Sequence, residues 1–267
     1  MRQLVFNLTI QSVGRLLLLR DLAFGWARVN WRIDPGAAGV SRHAIGSGKN
    51  VLDAVLVRPT KAPARAGLLI CHGIGETVQR WQKVQQLLAA HGVASLVFDY
   101  SGYGRSTGFF GAPESEQDAI AAFRFFEEQA DGLPISLLGF SLGSGIATAI
   151  LPRVPARSLV LGAAFTSLRD AARSTGVPGF LNFCVPPIWR AEDVLRSCTV
   201  PALIVHGERD RLFPVTMAAE LGACCGSHAK VIIVPRLAHN EPFGKPTLGY
   251  WGLIIDHLLG EESAEGS

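Results

Sequence analysis

The sequence predicts an α/β domain, a mostly parallel central sheet with helices on both faces. Three observations carry that expectation. Short, continuously apolar runs alternate with longer segments of helical period. Glycine and proline bound the runs, and the residues able to do chemistry follow the runs directly. Unbroken apolar strands mark sheets buried on both sides, and strands alternating with helices give parallel units. The chain has 267 residues, 48% hydrophobic and 18% charged, enough for one large core. A net charge of +3 without any basic run argues against a nucleic-acid partner.

Residues 1–35 read as an amphipathic segment set apart from the domain at 36–260, with 261–267 as a tail. Arg2, Arg15, Arg20, Arg28 and Arg32 punctuate the segment, and its longest pure apolar run is Leu16 to Leu19. That is far short of the roughly 20 residues a spanning helix requires. The arginines also break the apolar core that a signal peptide needs. Phe6, Ile10, Val13 and Leu17 share a helical stripe. Two readings stand open: an interfacial helix making peripheral membrane contact, or a helix packed on the domain or over its entrance. The turn cluster from Asp34 to Gly39 closes the segment.

The first strand is expected at Val51 to Val57, followed by a polar link from Pro59 to Gly67. Gly67 to Cys71 is the next strand. A helix follows around Arg80 to His91 with Trp81, Val84, Leu87 and Leu88 on one side, and Gly92 stops it. Ala94 to Phe98 is a strand leading into a glycine-rich loop. Ser115 and Asp118 have capping-box spacing and are expected to open a helix with Ile120, Phe123 and Phe126 inward. Ile135 to Gly139 is a strand, and the helix carrying Ile146 to Leu151 is apolar all round, hence buried. Strands at Ser158 to Leu161, Ala202 to Val205 and Val231 to Val234 complete the sheet. Pro214 suits the first turn of a helix, and a closing helix near Thr247 to Leu259 presents Leu248, Trp251, Ile255 and Leu258.

Gly139-x-Ser141-x-Gly143 follows a strand and opens a helix, the pattern of a nucleophile elbow. A serine on so sharp a turn needs neighbours without Cβ atoms, because the chain folds back on itself. The turn lifts Oγ to the sheet's edge and aims the next backbone N–H groups at an incoming oxyanion. A serine hydroxyl is a weak nucleophile and needs a base, itself oriented by an acid. Asp210 follows the strand Ala202 to Val205, and His239 follows Val231 to Val234. The rivals are Glu208, Asp193 and Asp170 as acid, with Asp193 the best substitute, and His206, His228 and His257 as base. His257 lies inside the last helix and His228 precedes its strand, so neither sits at the carboxyl edge where such sheets bind ligands. The oxyanion donors are expected to be the N–H groups of Leu142 and Ile74, with His72 a structural hydrogen-bonder.

On these residues the chain resembles a serine hydrolase of the α/β-hydrolase superfamily. His72-Gly73, the Ser141 elbow, Asp210, His239 and the segment from Asp99 to Ser106 match its motifs over about residues 50–260. Within it the chain resembles the acyl-protein thioesterase-like and lysophospholipase-like branch. The resemblance implies the α/β-hydrolase fold, hydrolysis of a carboxylic ester or thioester through an acyl-enzyme, and no cofactor. The oxyanion loop reads His-Gly-Ile-Gly, not the triple glycine of many esterases, which disfavours esters of bulky tertiary alcohols. Residues 175–197, between the sixth and seventh strands, could form a small cap. Phe180, Phe183, Trp189 and Phe109 are candidate substrate-binding residues for an apolar acyl group; an ordinary loop tucking its aromatics inward is the alternative.

The partner expected is a small acyl ester or thioester. A catalytically silent binding or scaffolding protein, or an acyltransferase with the same triad, are the alternatives. The five cysteines, at 71, 184, 198, 224 and 225, form neither a CxxC pair nor a zinc spacing. They suggest reduced thiols, a cytoplasmic location and no metal site.

Overall fold

The structure is a computed structural model that describes residues 37–244 and 246–261. The amphipathic segment at 1–35 and the tail beyond Glu261 lie outside the described residues. The strands are β1 (Val40–Ser47), β2 (Asn50–Val57), β3 (Ala66–Cys71), β4 (Val93–Phe98), β5 (Ile135–Phe140), β6 (Leu159–Gly162), β7 (Ala202–Gly207) and β8 (Ala229–Val234). They form one sheet in the order β1-β2-β4-β3-β5-β6-β7-β8. β2 runs antiparallel to both its neighbours, and every pairing from β4 to β8 is parallel.

The helices are α1 (Val78–Ala90), α2 (Ala112–Gln129), α3 (Leu142–Ile150), α4 (Leu168–Ser174), α5 (Ala191–Leu195), α6 (Val215–Cys225), α7 (Glu241–Gly244) and α8 (Leu248–Leu259). Two cores flank the sheet. On one face α1 and α8 bring Trp81, Val84, Leu88, Trp251 and Ile255 against Leu68, Ile70, Leu138 and Phe140. On the other, α2, α3 and α6 pack Phe123, Phe126, Ile146 and Leu221 against Leu69, Cys71, Leu137 and Ile204. Alternate residues of each central strand therefore enter opposite cores, which is why those strands read as unbroken apolar runs.

Three local expectations change. β1 was not expected, because Ser41, Arg42, His43 and Gly46 hide its period. It forms because the turn at Gly48 and Lys49, with Gly48 at φ +56°, returns the chain antiparallel onto β2. Arg42 then reaches across to Asp53, with Nε donating at 2.6 Å. The capping box at Ser115 and Asp118 is overturned. α2 starts four residues earlier, with Gly111 as N-cap in place of Ser115 and Pro113 in its first turn. Asp118 instead accepts from Ser47 Oγ at 2.6 Å and from the Ser101 N–H at 2.7 Å, tying β1 and the loop after β4 to α2. Its carboxyl is pushed up by burial, which those hydrogen bonds only partly offset. Leu248, expected on the inner face of the last helix, is 52% exposed, while Trp251, Ile255 and Leu258 are buried.

Candidate active site

Ser141 sits between β5 and α3 at φ +52° and ψ −118°. A bulky neighbour could not be accommodated there. A Cβ on Gly139 would fall 2.5 Å from Gly143 O, and one on Gly143 would fall 1.9 Å from Cys71 O. Both glycines are thus required by backbone approach, the second because α3 starts directly against the end of β3. The Ser141 N–H is bound to Gly162 O at 3.0 Å, and its carbonyl accepts from Ser144 N–H and Oγ.

The structure brings Ser141, His239 and Asp210 together from loops after β5, β8 and β7. His239 Nε2 lies 3.0 Å from Ser141 Oγ, and His239 Nδ1 lies 2.7 Å from Asp210 Oδ2. Only one tautomer serves both contacts with a carboxylate acceptor: Nδ1–H donates to Asp210, leaving Nε2 to accept the serine proton. The imidazole stands between the rings of Phe140 and Phe213, at 5.5 and 5.4 Å. Asp210 Oδ1 accepts the N–H groups of Leu212 at 2.8 Å and Phe213 at 2.9 Å. Burial alone would push the Asp210 carboxyl up. The bond from His239 and the bond from the Phe213 N–H outweigh it and hold the group below the ordinary carboxylate range.

The rival acids are occupied elsewhere. Glu208 accepts the Arg236 N–H at 2.8 Å, Asp193 pairs with Arg190 at 3.2 Å on the surface, and Asp170 accepts from Thr166 at 2.9 Å. His206 is a contributor that sequence reasoning weighed only as a base. It is fully buried, binds Phe213 O at 3.0 Å, and lies 3.4 Å from Asp210 Oδ2. Burial pushes its pKa down. The signal was present in the sequence, since His206 ends the strand that delivers Asp210.

The loop after β3 is held from several sides. Tyr100 Oη donates to His72 O at 3.0 Å, and His72 Nδ1 lies 2.9 Å from Gly73 O. The Gly73 N–H donates to Glu76 Oε2 at 2.9 Å, and the Tyr103 hydroxyl sits against the Gly75 amide. Among the described residues, the N–H groups of Ile74 and Leu142 take no partner. These are the two expected oxyanion donors.

The four candidate substrate-binding residues are not gathered into one wall. Phe109, Phe180 and Phe183 are 87%, 76% and 78% exposed. Trp189 is buried, its ring lying where a Cβ on Gly145 would meet it, and its Nε1 donates to Glu116 at 3.1 Å. Phe180 and Phe183 belong to a 3₁₀ turn at Gly179–Cys184 between α4 and α5. Among the described residues no group of three or more His, Cys, Asp or Glu could hold a metal ion, and no helix is long and apolar enough to cross a membrane. The five cysteines are free thiols, with Cys71 and Cys225 pushed up to about 12 by burial.

An eight-stranded, mostly parallel sheet with the serine turn after β5 is the architecture of the α/β-hydrolase fold. A family model described as serine aminopeptidase, S33, matches residues 62–189, which include Ser141 and stop short of Asp210 and His239. An uncharacterized protein of Mycobacterium tuberculosis is 28% identical over 194 residues, covering 68% of this chain and 66% of its own. The lysophosphatidylserine lipase ABHD12 of Xenopus tropicalis is 29% identical over 174 residues, 58% of this chain and 45% of its own. The chain thus spans less than two thirds of these relatives. The esterase domain of a Rhodothermus marinus protein superposes with a TM-score of 0.64 at 19% identity, covering 83% of this chain and 96% of that one. The chain has the α/β-hydrolase fold.

Proposed function

We propose that this chain is a serine hydrolase that cleaves a carboxylic ester or thioester with an apolar acyl group. The observation that carries the reading is the hydrogen-bonded line from Ser141 Oγ through His239 to Asp210, at 3.0 and 2.7 Å. Ser141 Oγ attacks the acyl carbonyl while His239 Nε2 takes its proton, and Asp210 steadies the imidazolium. The N–H groups of Leu142 and Ile74 receive the negative oxygen of the tetrahedral intermediate. His239 then hands its proton to the leaving alcohol or thiol. Water resolves the acyl-enzyme by the same steps in reverse.

The exposed phenylalanines at 109, 180 and 183 support an apolar acyl side, since a chain laid against them would remove their area from water. The match to a lysophosphatidylserine lipase favours the same class of substrate. Residues 1–35 remain a proposed peripheral membrane contact, tested by flotation on liposomes with 1–34 deleted; unchanged flotation rules it out. The central test is labelling by a fluorophosphonate probe together with p-nitrophenyl and thioester substrates of rising acyl length. Wild type is expected to label, Ser141→Ala not to, and turnover to rise with acyl length. A folded wild type that fails to label overturns the hydrolase reading, and a peak at acetyl overturns the apolar one.

A further inference from the structure

Glu76 is a buried acid that the proposed chemistry does not use. It lies at the end of the loop that carries Ile74, two residues ahead of α1. Its Oε2 accepts from the Gly73 N–H and from Trp81 Nε1, both at 2.9 Å, and its own N–H returns to Gly73 O at 3.4 Å. The side chain thus closes a ring back over Ile74. Gly73 and Gly75 would otherwise leave that peptide loosely held, Gly75 being at φ +71°. Trp81 in turn belongs to an aromatic cluster. Its ring faces Phe243 at 4.5 Å, Trp251 at 5.9 Å and Phe140 at 6.2 Å, and Phe140 lies against His239.

We infer that Glu76 is a positioning residue that aims the Ile74 amide at the tetrahedral oxygen, anchored through Trp81 to the cluster beneath Ser141 and His239. The inference rests on the hydrolase reading above. An oxyanion donor works only when its N–H is fixed before charge develops, so a slack loop costs turnover more than binding. The carboxylate is suited to the task because one oxygen can take two N–H donors from different elements at once. A glutamine keeps that acceptor through its carbonyl oxygen, and an alanine loses it.

The experiment measures kcat and KM on a p-nitrophenyl ester for Glu76→Ala, Glu76→Gln, Trp81→Phe and the double variant of alanine and phenylalanine. It adds the affinity of each for a trifluoromethyl ketone, which becomes a tetrahedral oxyanion on Ser141, and for the product carboxylate. In Glu76→Ala, kcat is expected to fall about 10- to 100-fold with KM unchanged, and ketone affinity to fall in parallel while product affinity holds. Glu76→Gln is expected to stay within about 3-fold of wild type. Trp81→Phe keeps the buried ring and removes the donor; it is expected to lose kcat and to add nothing in the Glu76→Ala background.

A labelled, active wild type with a Glu76→Ala variant within 2-fold in kcat overturns the inference, as does equal loss of ketone and product affinity. If Glu76→Ala does not fold, an unchanged kcat in Trp81→Phe overturns it instead. A wild type that never labels overturns the hydrolase reading and this inference with it.

Discussion

The loops after β3, β5, β7 and β8 and the segment between β6 and β7 line the same edge of the sheet, yet they are built differently. The first group is buried and closely bonded: Ser141 and His239 are each less than a tenth exposed, and the Asp210 carboxylate is enclosed by two backbone N–H groups and two imidazoles. The segment from α4 to α5 instead carries Phe180, Leu181 and Phe183 outward on a 3₁₀ turn, none of them buried. The geometry of Ser141, His239 and Asp210 is therefore preset by the core, while the exposed apolar surface is displayed where sequence can change at little cost. That division is what a scaffold serving many substrates requires.

The largest expected effect lies at the nucleophile. Ser141→Ala should lower ester turnover by at least about 10⁴-fold and leave the thermal midpoint essentially where it was, measured by steady-state kinetics beside a melt. Comparable loss from any substitution on the 3₁₀ turn would break the contrast between the two regions. Next comes backbone approach. Gly143→Ala drives a Cβ into Cys71 O and should cost more than about 4 kcal/mol in chemical denaturation. Gly179→Ala, whose Cβ meets nothing within 4 Å, should stay within about 0.5 kcal/mol.

A smaller effect is expected from Phe180→Ser with Phe183→Ser. Stability should hold within about 0.5 kcal/mol, while kcat/KM for long acyl chains falls about 10-fold relative to acetyl, the worth of part of one apolar side chain. An unchanged chain-length profile would detach these residues from substrate.

The smallest effect is a matter of slope. Burial holds His206 neutral with its pKa below the ordinary value. The unfolded chain therefore takes up that proton first, so the stability His206 supports is full above about pH 6.5 and is lost as pH falls through it. His43 and His257 are lowered in the same direction by burial and nearby cations, so His206 accounts for one share of the slope. His206→Asn should make the fall in unfolding free energy between about pH 6.5 and 5.5 shallower by up to about 1.4 kcal/mol per pH unit. An identical slope would show that His206 does not titrate between the two states.

Much of this was legible in the chain because local requirements are strict. Gly139 and Gly143 had to be what they are for the turn to close, and the apolar strands had to be unbroken to face two cores. Asp210 and His239 stood out by following strands. Other features depended on contacts distant in sequence. Ser115 and Asp118 have capping-box spacing wherever the helix begins, and only the arrival of Ser47 and Ser101 occupies Asp118 away from the helix end. The first N–H of α1 is likewise bound by Asp99, 21 residues away, while Thr77 at the N-cap makes no side-chain bond.

By itself, then, the sequence determined the alternation of strands and helices, the serine turn, and which loops bear an acid and a base. Those are short-range matters of periodicity, φ and Cβ clearance. Tertiary structure alone decided that His239 reaches both Ser141 and Asp210, that His206 and Glu76 stand behind Asp210 and the loop carrying Ile74, and that Phe180 and Phe183 face outward while Trp189 is buried. Each of these depends on which strands become neighbours, since sheet order places residues 98 positions apart within 3.0 Å of one another.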